Sequence, residues 1–472
     1  MEKIGRREFL KKASTGAIGI GIGTMFGCSM DPIARFACNG NGLEVGEGVV
    51  DITPPYGIEI AGFHRKPGDE RRVTGVRHPA VTRALVVRLK DLHAAIVSLE
   101  LCGISRDFAG RVQKRIAAKL RIPAENVRIC ATHTHSMPML RYMRQWGATM
   151  PPHPYIDSVE DNIVESVRLA KEDLAPADLY LGKANVTGGN SNRTTKVWKT
   201  DKVFTRHSTD ADRWLDTMLH CLHFRRNQPK RSLLWYHFSA HPVCFMDEMA
   251  GPDWPGIVED MAKEKDALAP VFLQGHCGDV NPGDGTPWRG DPKETSDAVY
   301  TALHYAINHA EPVEVDRIGL VSTNIKIPLD IKTLKEQLTQ YRQAPSTCTG
   351  PTWVDDGFAK DWFEGMSKWD FNKTSYAAPV SAIRLGRIGI LFHPAELYSF
   401  YGLDIRRDSP FEDTLVVGFT DDLIGYLPDP NAYQQHNYEA TTVPKILDMP
   451  PFQPDAASRF TAEAKKLLHK LA

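Results

Sequence analysis

Several things this sequence lacks bound what it can be. No CxxC pair occurs among its eight cysteines, at 28, 38, 102, 130, 221, 244, 277 and 348, and they follow no regular spacing. That pattern excludes a zinc-ribbon or thioredoxin-like framework, and it assigns no disulfide. There is no dense Lys/Arg stripe, and the formal net charge is -1, so a nucleic-acid surface is not expected. The partner is expected to be a small or neutral molecule, a lipid included, rather than a polyanion. Internal repeats and low-complexity linkers are missing too. What is present is ordinary for a globular chain: 472 residues, 42% hydrophobic and 24% charged. That length suits one large domain, or two sharing a core.

No apolar run is long enough for a stable membrane span. The longest candidate near the N-terminus, Ala17 to Gly27, is glycine-rich and holds only about ten residues suited to a bilayer. It follows Arg6-Arg7-Glu8-Phe9-Leu10-Lys11, a twin-arginine pattern that looks like a Tat export signal. Cys28, after Met25-Phe26-Gly27, resembles a lipobox without its usual leucine. Lipidation there would tether the chain to a membrane without spanning it. Soluble release after nearby cleavage is the alternative. The expected organisation is residues 1–28 as signal, 29–47 as linker and 48–472 as the functional domain, with a periplasmic or membrane-anchored location.

From about Gly48 strands and helices alternate. Ala94–Leu99 is an apolar, strand-like run. Phe108, Val112, Ile116 and Leu120 then recur at four-residue intervals, one face of a helix. Pro123 stops it, and Val127–Ala131 begins another strand. This βαβ unit predicts an α/β fold with mixed, partly parallel sheets flanked by helices. Leu233–Phe238 and Pro270–Leu273 read as buried strands, with a helix over Glu294–His309. Ser381–Phe392 reads as paired strands and Ser458–Leu471 as a basic amphipathic helix. Gln343–Asp356, rich in Pro, Thr and Gly, is the expected surface excursion and the candidate boundary between lobes. Cys102, Cys130 and Cys244 lie in apolar runs and read as buried thiols.

Four segments end a strand-like run in metal-competent residues, where a sheet fixes positions and loops give access. In Ala131-Thr132-His133-Thr134-His135-Ser136 two histidines two residues apart would face one point if the strand continues. Capping of backbone groups is the equal alternative. Ser239-Ala240-His241-Pro242 ends the run Leu233–Phe238, and a lone histidine there is more often structural. Phe392-His393-Pro394-Ala395-Glu396 reads as the start of a helix, with the carboxylate near its N-terminus or on a metal. Gly425-Tyr426-Leu427-Pro428 offers a tyrosine, normally a packing residue, whose phenol ionises easily only beside a dication.

In this order the segments resemble the neutral/alkaline non-lysosomal ceramidase family. The resemblance runs from Val50-Asp51-Ile52-Thr53-Pro54-Pro55 to about Thr442, through the runs ending at Ser136 and Arg193, through Ala240-His241-Pro242, and through Phe272 to Val280. It continues through Pro394-Ala395-Glu396, Tyr426, Tyr433 and Tyr438-Glu439-Ala440. It implies one zinc ion per chain on His133, His241, Glu396 and Tyr426, with His135 and Arg193 near substrate and transition state. Such an ion would hold a nucleophilic water of pKa roughly 7, while Arg193 or His135 stabilises the oxyanion. Asp279 reads as a supporting or turn residue rather than a ligand. One departure stands out. Asn281 occupies the position of a serine important to amide cleavage in ceramidases, and an amide cannot be a nucleophile. The implied activity is hydrolysis of an N-acyl amide, a ceramide-like lipid first. The alternatives are a zinc hydrolase of another ester or sugar derivative, and a non-catalytic surface binding lipoprotein. The loop Tyr142–Tyr155, with Met143, Trp146 and Met150, would either wall an acyl pocket or pack on the core.

Overall fold

The computed structural model describes residues 34–472 except 41, 64, 66–67, 143–152 and 355–356. The export signal, Cys28 and most of the Tyr142–Tyr155 loop lie outside the described residues. Among those described, no helix is long and apolar enough to cross a membrane.

The framework strands and helices, in chain order, begin with β1 (Ala34–Asn39), β2 (Glu44–Asp51), β3 (Val81–Leu89), β4 (Leu92–Leu99), α1 (Arg106–Leu120), β5 (Val127–Ala131), α2 (His153–Glu172) and β6 (Ala175–Asn185). They continue with β7 (Met218–Arg226), β8 (Leu233–Phe238), α3 (Trp254–Asp266), β9 (Pro270–Gln274), α4 (Pro292–Asn308), β10 (Glu311–Val313) and β11 (Arg317–Pro328). The last are α5 (Ile331–Gln343), α6 (Phe358–Met366), β12 (Ser375–Leu385), β13 (Ile388–Phe392), α7 (Ser399–Arg407), β14 (Asp413–Val417) and α8 (Ala456–Leu471). One sheet runs β9-β8-β7-β6-β2-β3-β4-β5, with β10 beside β6, and the other runs β1-β11-β12-β13-β14. The pairs β4/β5, β8/β9 and β13/β14 are parallel and the rest antiparallel, giving the expected mixed sheets.

Burial on both faces explains why Ala94–Leu99 of β4 reads as a continuous apolar run. Leu85, Val87, Ala94 and Ile96 pack with residues of the smaller sheet such as Leu320, Ile383, Ile390 and Leu415. The alternate residues Ala84, Val86, Ala95, Val97 and Leu99 face the opposite way, onto Phe108, Val112 and Ile116 of α1 and Val159, Ile163 and Val167 of α2. The two sheets therefore share one apolar layer, with helices covering the outer face of the larger one. Burying such side chains stabilises by roughly 1.5–3 kcal/mol each.

Local chemistry sets the helix limits. Ser105 caps α1 by accepting from Phe108 N, and Arg121 ends it at φ 57, two residues before Pro123. The larger sheet curls until its edges approach, and Ser98 Oγ donates to the Phe272 carbonyl at 2.7 Å.

Three expectations need correction. Residues 29–47 are not simply a linker, because β1 pairs with β11 and β2 begins at Glu44. Gln343–Asp356 divides no lobes: residues 33–472 form one compact unit, and this stretch carries two short 3-10 turns after α5. Glu396 does not start a helix. Its N–H is taken by the Gly425 carbonyl, so Glu396-Leu397 pairs with Tyr426-Leu427, and α7 begins only at Ser399.

Candidate metal centre

The C-terminal ends of β5, β8 and β9 from the larger sheet, and of β13 and β14 from the smaller, meet at one place. Gln274, fully buried at the end of β9, ties them together. Its Nε2 donates to the carbonyls of Ala240, at 2.9 Å, and Thr132, at 3.3 Å. Sequence reasoning gave Gln274 no role. A polar amide straight after an apolar run was the available signal.

His133 reaches the site by a turn, not by strand alternation. β5 stops at Ala131, and His133 has φ 65, a left-handed conformation costing a non-glycine residue roughly 1–2 kcal/mol. Its N–H is held by the Leu101 carbonyl, and its ring stacks on Phe419 with centroids 4.1 Å apart. His241 follows β8, with its N–H on the Val280 carbonyl. Glu396 lies directly opposite Tyr426 in their short parallel pairing.

The side chains converge. Glu396 Oε2 is 3.3 Å from His241 Nε2 and 3.6 Å from His133 Nε2. One ligand atom from each of these three residues lies within 4.8 Å of the others. His135 Nε2 is 3.3 Å from His133 Nε2. Tyr426, Arg193 and Asn281 line the same cavity of about 340 Å³, with Phe63, Met139, Met246, Trp288, Leu423, Val443 and Leu447 supplying apolar walls. Arg193 donates to Glu439 at 2.8 Å, and its guanidinium carbon stands 5.2 Å from the Tyr426 ring centre. Every residue that sequence reasoning assigned to metal or catalysis thus borders one cavity.

Whether these residues fit a cation is decided by their outer nitrogens. His133 Nδ1 meets the Cys102 carbonyl at 2.7 Å, and His241 Nδ1 meets the Val280 carbonyl at 2.8 Å. A carbonyl can only accept, so each Nδ1 carries a proton and each ring turns its Nε2 toward Glu396, where it can take a proton or a metal ion. Two imidazole lone pairs and a carboxylate are a donor set for zinc. Where protons are the only cations bound, burial holds His241 down to about 4. Burial also opposes charge on His133, but Cys102 and Glu396 outweigh it and push His133 up to about 10. Glu396 is buried as well, yet the two histidines hold it well below the usual carboxylate range. The phenol of Tyr426 is pushed up by burial, with Arg193 opposing. The pocket favours a positive charge beside Glu396.

Asp279 is a brace, as its sequence context suggested. It accepts from Ser399 N and Oγ at 2.7 and 2.8 Å and from Asn192 Nδ2 at 2.8 Å. Its own carbonyl accepts from Arg193 N at 2.8 Å. Burial raises its carboxyl to about 6, against the Ser399 hydrogen bonds. Glu439, 246 residues from Arg193, was legible only as part of Tyr438-Glu439-Ala440. Cys102 belongs to the wall too, its thiol grouping with His133 and His135 within 4.8 Å. The described cysteines are all unbonded, and Cys102, Cys130 and Cys244 are buried.

Residues 43–288 match the family model for neutral/alkaline non-lysosomal ceramidase, N-terminal. The chain belongs to that family. The matched segment contains His133, His135, Arg193, His241 and Asn281, while Glu396 and Tyr426 lie beyond it. A curated relative, neutral ceramidase of Mycobacterium tuberculosis, is 22% identical over 84% of this chain and 73% of its own length. The crystal structure of neutral ceramidase from Pseudomonas aeruginosa superposes with TM-score 0.66 at 17% identity, over 91% of this chain and 75% of that one. A ceramidase structure described as complexed with C2 gives TM-score 0.66 at 18% identity, over 91% and 76%. Members of the family thus share this mixed α/β architecture with the present chain.

Proposed function

We propose that this chain is a zinc-dependent hydrolase of N-acyl amides, with a ceramide-like lipid as first candidate substrate. One observation carries the reading: a buried carboxylate faces two imidazole nitrogens whose tautomers are fixed by backbone carbonyls. His133, His241 and Glu396 would hold the ion, with Tyr426 as a fourth ligand. When bound, zinc supplies Lewis acidity and a water made nucleophilic near neutral pH.

The chain's own residues do the rest. Arg193, anchored on Glu439, is a fixed cation that balances charge developing on the acyl oxygen. His135 borders the cavity with its Nε2 3.3 Å from His133 Nε2, and from there the ring would exchange a proton with substrate. Its backbone is held by Arg71, which donates to the His135 carbonyl at 2.9 Å. Phe63, Met139, Met246, Val443 and Leu447 exclude water from an acyl group. The export signal and lipidated Cys28 would place this activity at or near a membrane.

The test is metal analysis with a substrate panel of N-acyl sphingoid bases, N-acyl amino acids, acylated sugars and esters. About one zinc per chain is expected, with amide turnover that His241→Ala abolishes while folding is kept. Protein that holds no zinc and gains nothing from added metal is a binding module instead. A second reading keeps the site and changes the acyl substrate. Asn281, which cannot serve as a nucleophile, favours it, and turnover of acylated sugars or N-acyl amino acids without turnover of N-acyl sphingoid bases would establish it.

A further inference from the structure

Asn281 sits in the wall of this cavity at 3% exposure, in a short strand whose register sets it opposite Ser191. Its Nδ2 donates to the Trp288 carbonyl at 2.5 Å. Only the NH2 end of a carboxamide can face a carbonyl, so the orientation of the group is fixed. The turn that carries Trp288 is itself tied down, with Thr286 N on Asp284 Oδ1 and Gly290 N on the Pro287 carbonyl, both at 2.8 Å. The Trp288 ring meets Phe63 edge-on at 6.1 Å, and Phe63 meets His135 at 5.4 Å.

One of the two Nδ2 hydrogens is thus engaged by Trp288, while no described residue donates to Oδ1. The acceptor Asn281 brings to the cavity wall is this oxygen. An acceptor repels an oxyanion and attracts an N–H or O–H. We infer that Asn281 is a specificity-determining residue that selects substrates carrying an N–H or O–H donor beside the scissile carbonyl. Secondary amides and hydroxylated acyl derivatives satisfy this, and a plain ester leaves Oδ1 unpaired. The inference rests on the hydrolase reading above and deepens it.

The experiment compares zinc-loaded full-length enzyme and Asn281→Leu on two matched substrate pairs. In the first, an ester oxygen replaces the amide N–H, which removes a donor without adding bulk. In the second, a hydroxyl next to the amide is replaced by hydrogen. Intrinsic reactivity cancels when wild-type and variant preferences are divided. The preference for the donor-bearing member in kcat/KM is expected to fall by about 2–13-fold in one pair, the size of one buried neutral hydrogen bond. The pair that responds identifies the donor as N–H or O–H. Asn281→Ala serves the same comparison if the leucine variant does not fold. Equal losses on both members of both pairs would mean a structural role and overturn the inference. No turnover of any substrate by zinc-loaded wild type would overturn the hydrolase reading and this one with it.

Discussion

Replacing Asp279 is the sharpest test of how the site is built. Its Oδ1 takes both Ser399 donors and its Oδ2 takes Asn192 Nδ2. Asn192 cannot turn its amide over, because its Oδ1 already accepts from Thr194 N and Oγ1. Asp279→Asn therefore sets one NH2 group against another while keeping the Ser399 contacts. One hydrogen bond is lost and two buried donors are stranded, a cost of about 2–4 kcal/mol. Asp279→Ala strands the Ser399 amide and Asn192 together, for about 3–6 kcal/mol. Urea unfolding followed by tryptophan fluorescence reads the loss. Activity should fall further than stability alone requires, because Ser399 lies three residues beyond Glu396 and Arg193 hangs on the Asp279 carbonyl. Misplacing such groups by 1 Å costs about 100-fold. An Asp279→Asn protein with unchanged urea midpoint and full activity would refute this account.

Glu396→Gln keeps the shape but removes the charge between the histidines; zinc affinity should weaken more than about 100-fold, measured by competition with a chelating dye. Gly62→Ala would put a Cβ 2.4 Å from the His135 ring at a residue with φ +109, so turnover should fall sharply while circular dichroism stays native. Acid should destabilise the fold through buried neutral histidines. Burial, then His276, holds His237 down to about 4, and burial, His276 and His237 hold His393 down to about 3. Both are depressed below the unfolded value of 6.5, so the unfolded chain binds more protons as pH falls from 6.5 toward 4. Each should remove about 2 kcal/mol by pH 5; urea midpoints equal at pH 7 and pH 5 would contradict this.

Where one physical signal dominates, the sequence showed the structure closely. Val127–Ala131 and Leu233–Phe238 are the strands expected from their apolar runs, and α1 keeps the face of Phe108, Val112 and Ile116. The site residues were legible as types at strand ends. Their geometry was not. Nothing local shows that His133 takes a left-handed turn, because its conformation is imposed by the Leu101 carbonyl and Phe419. The Glu396 segment looked helical because Pro394 and a carboxylate mark helix starts. The partner that overrides this, Tyr426, lies 30 residues on. Braces such as Gln274 and Glu439 depend on contacts across the whole chain, which periodicity does not report.

Glu396 and Tyr426 follow strands of one sheet, and His133 and His241 follow strands of the other. An ion gripped by all four would act as a rivet through both layers. It cannot seat until the layers have come together, and once seated it opposes their parting. Loading would then mark the end of folding, and a half-assembled chain would carry no working centre.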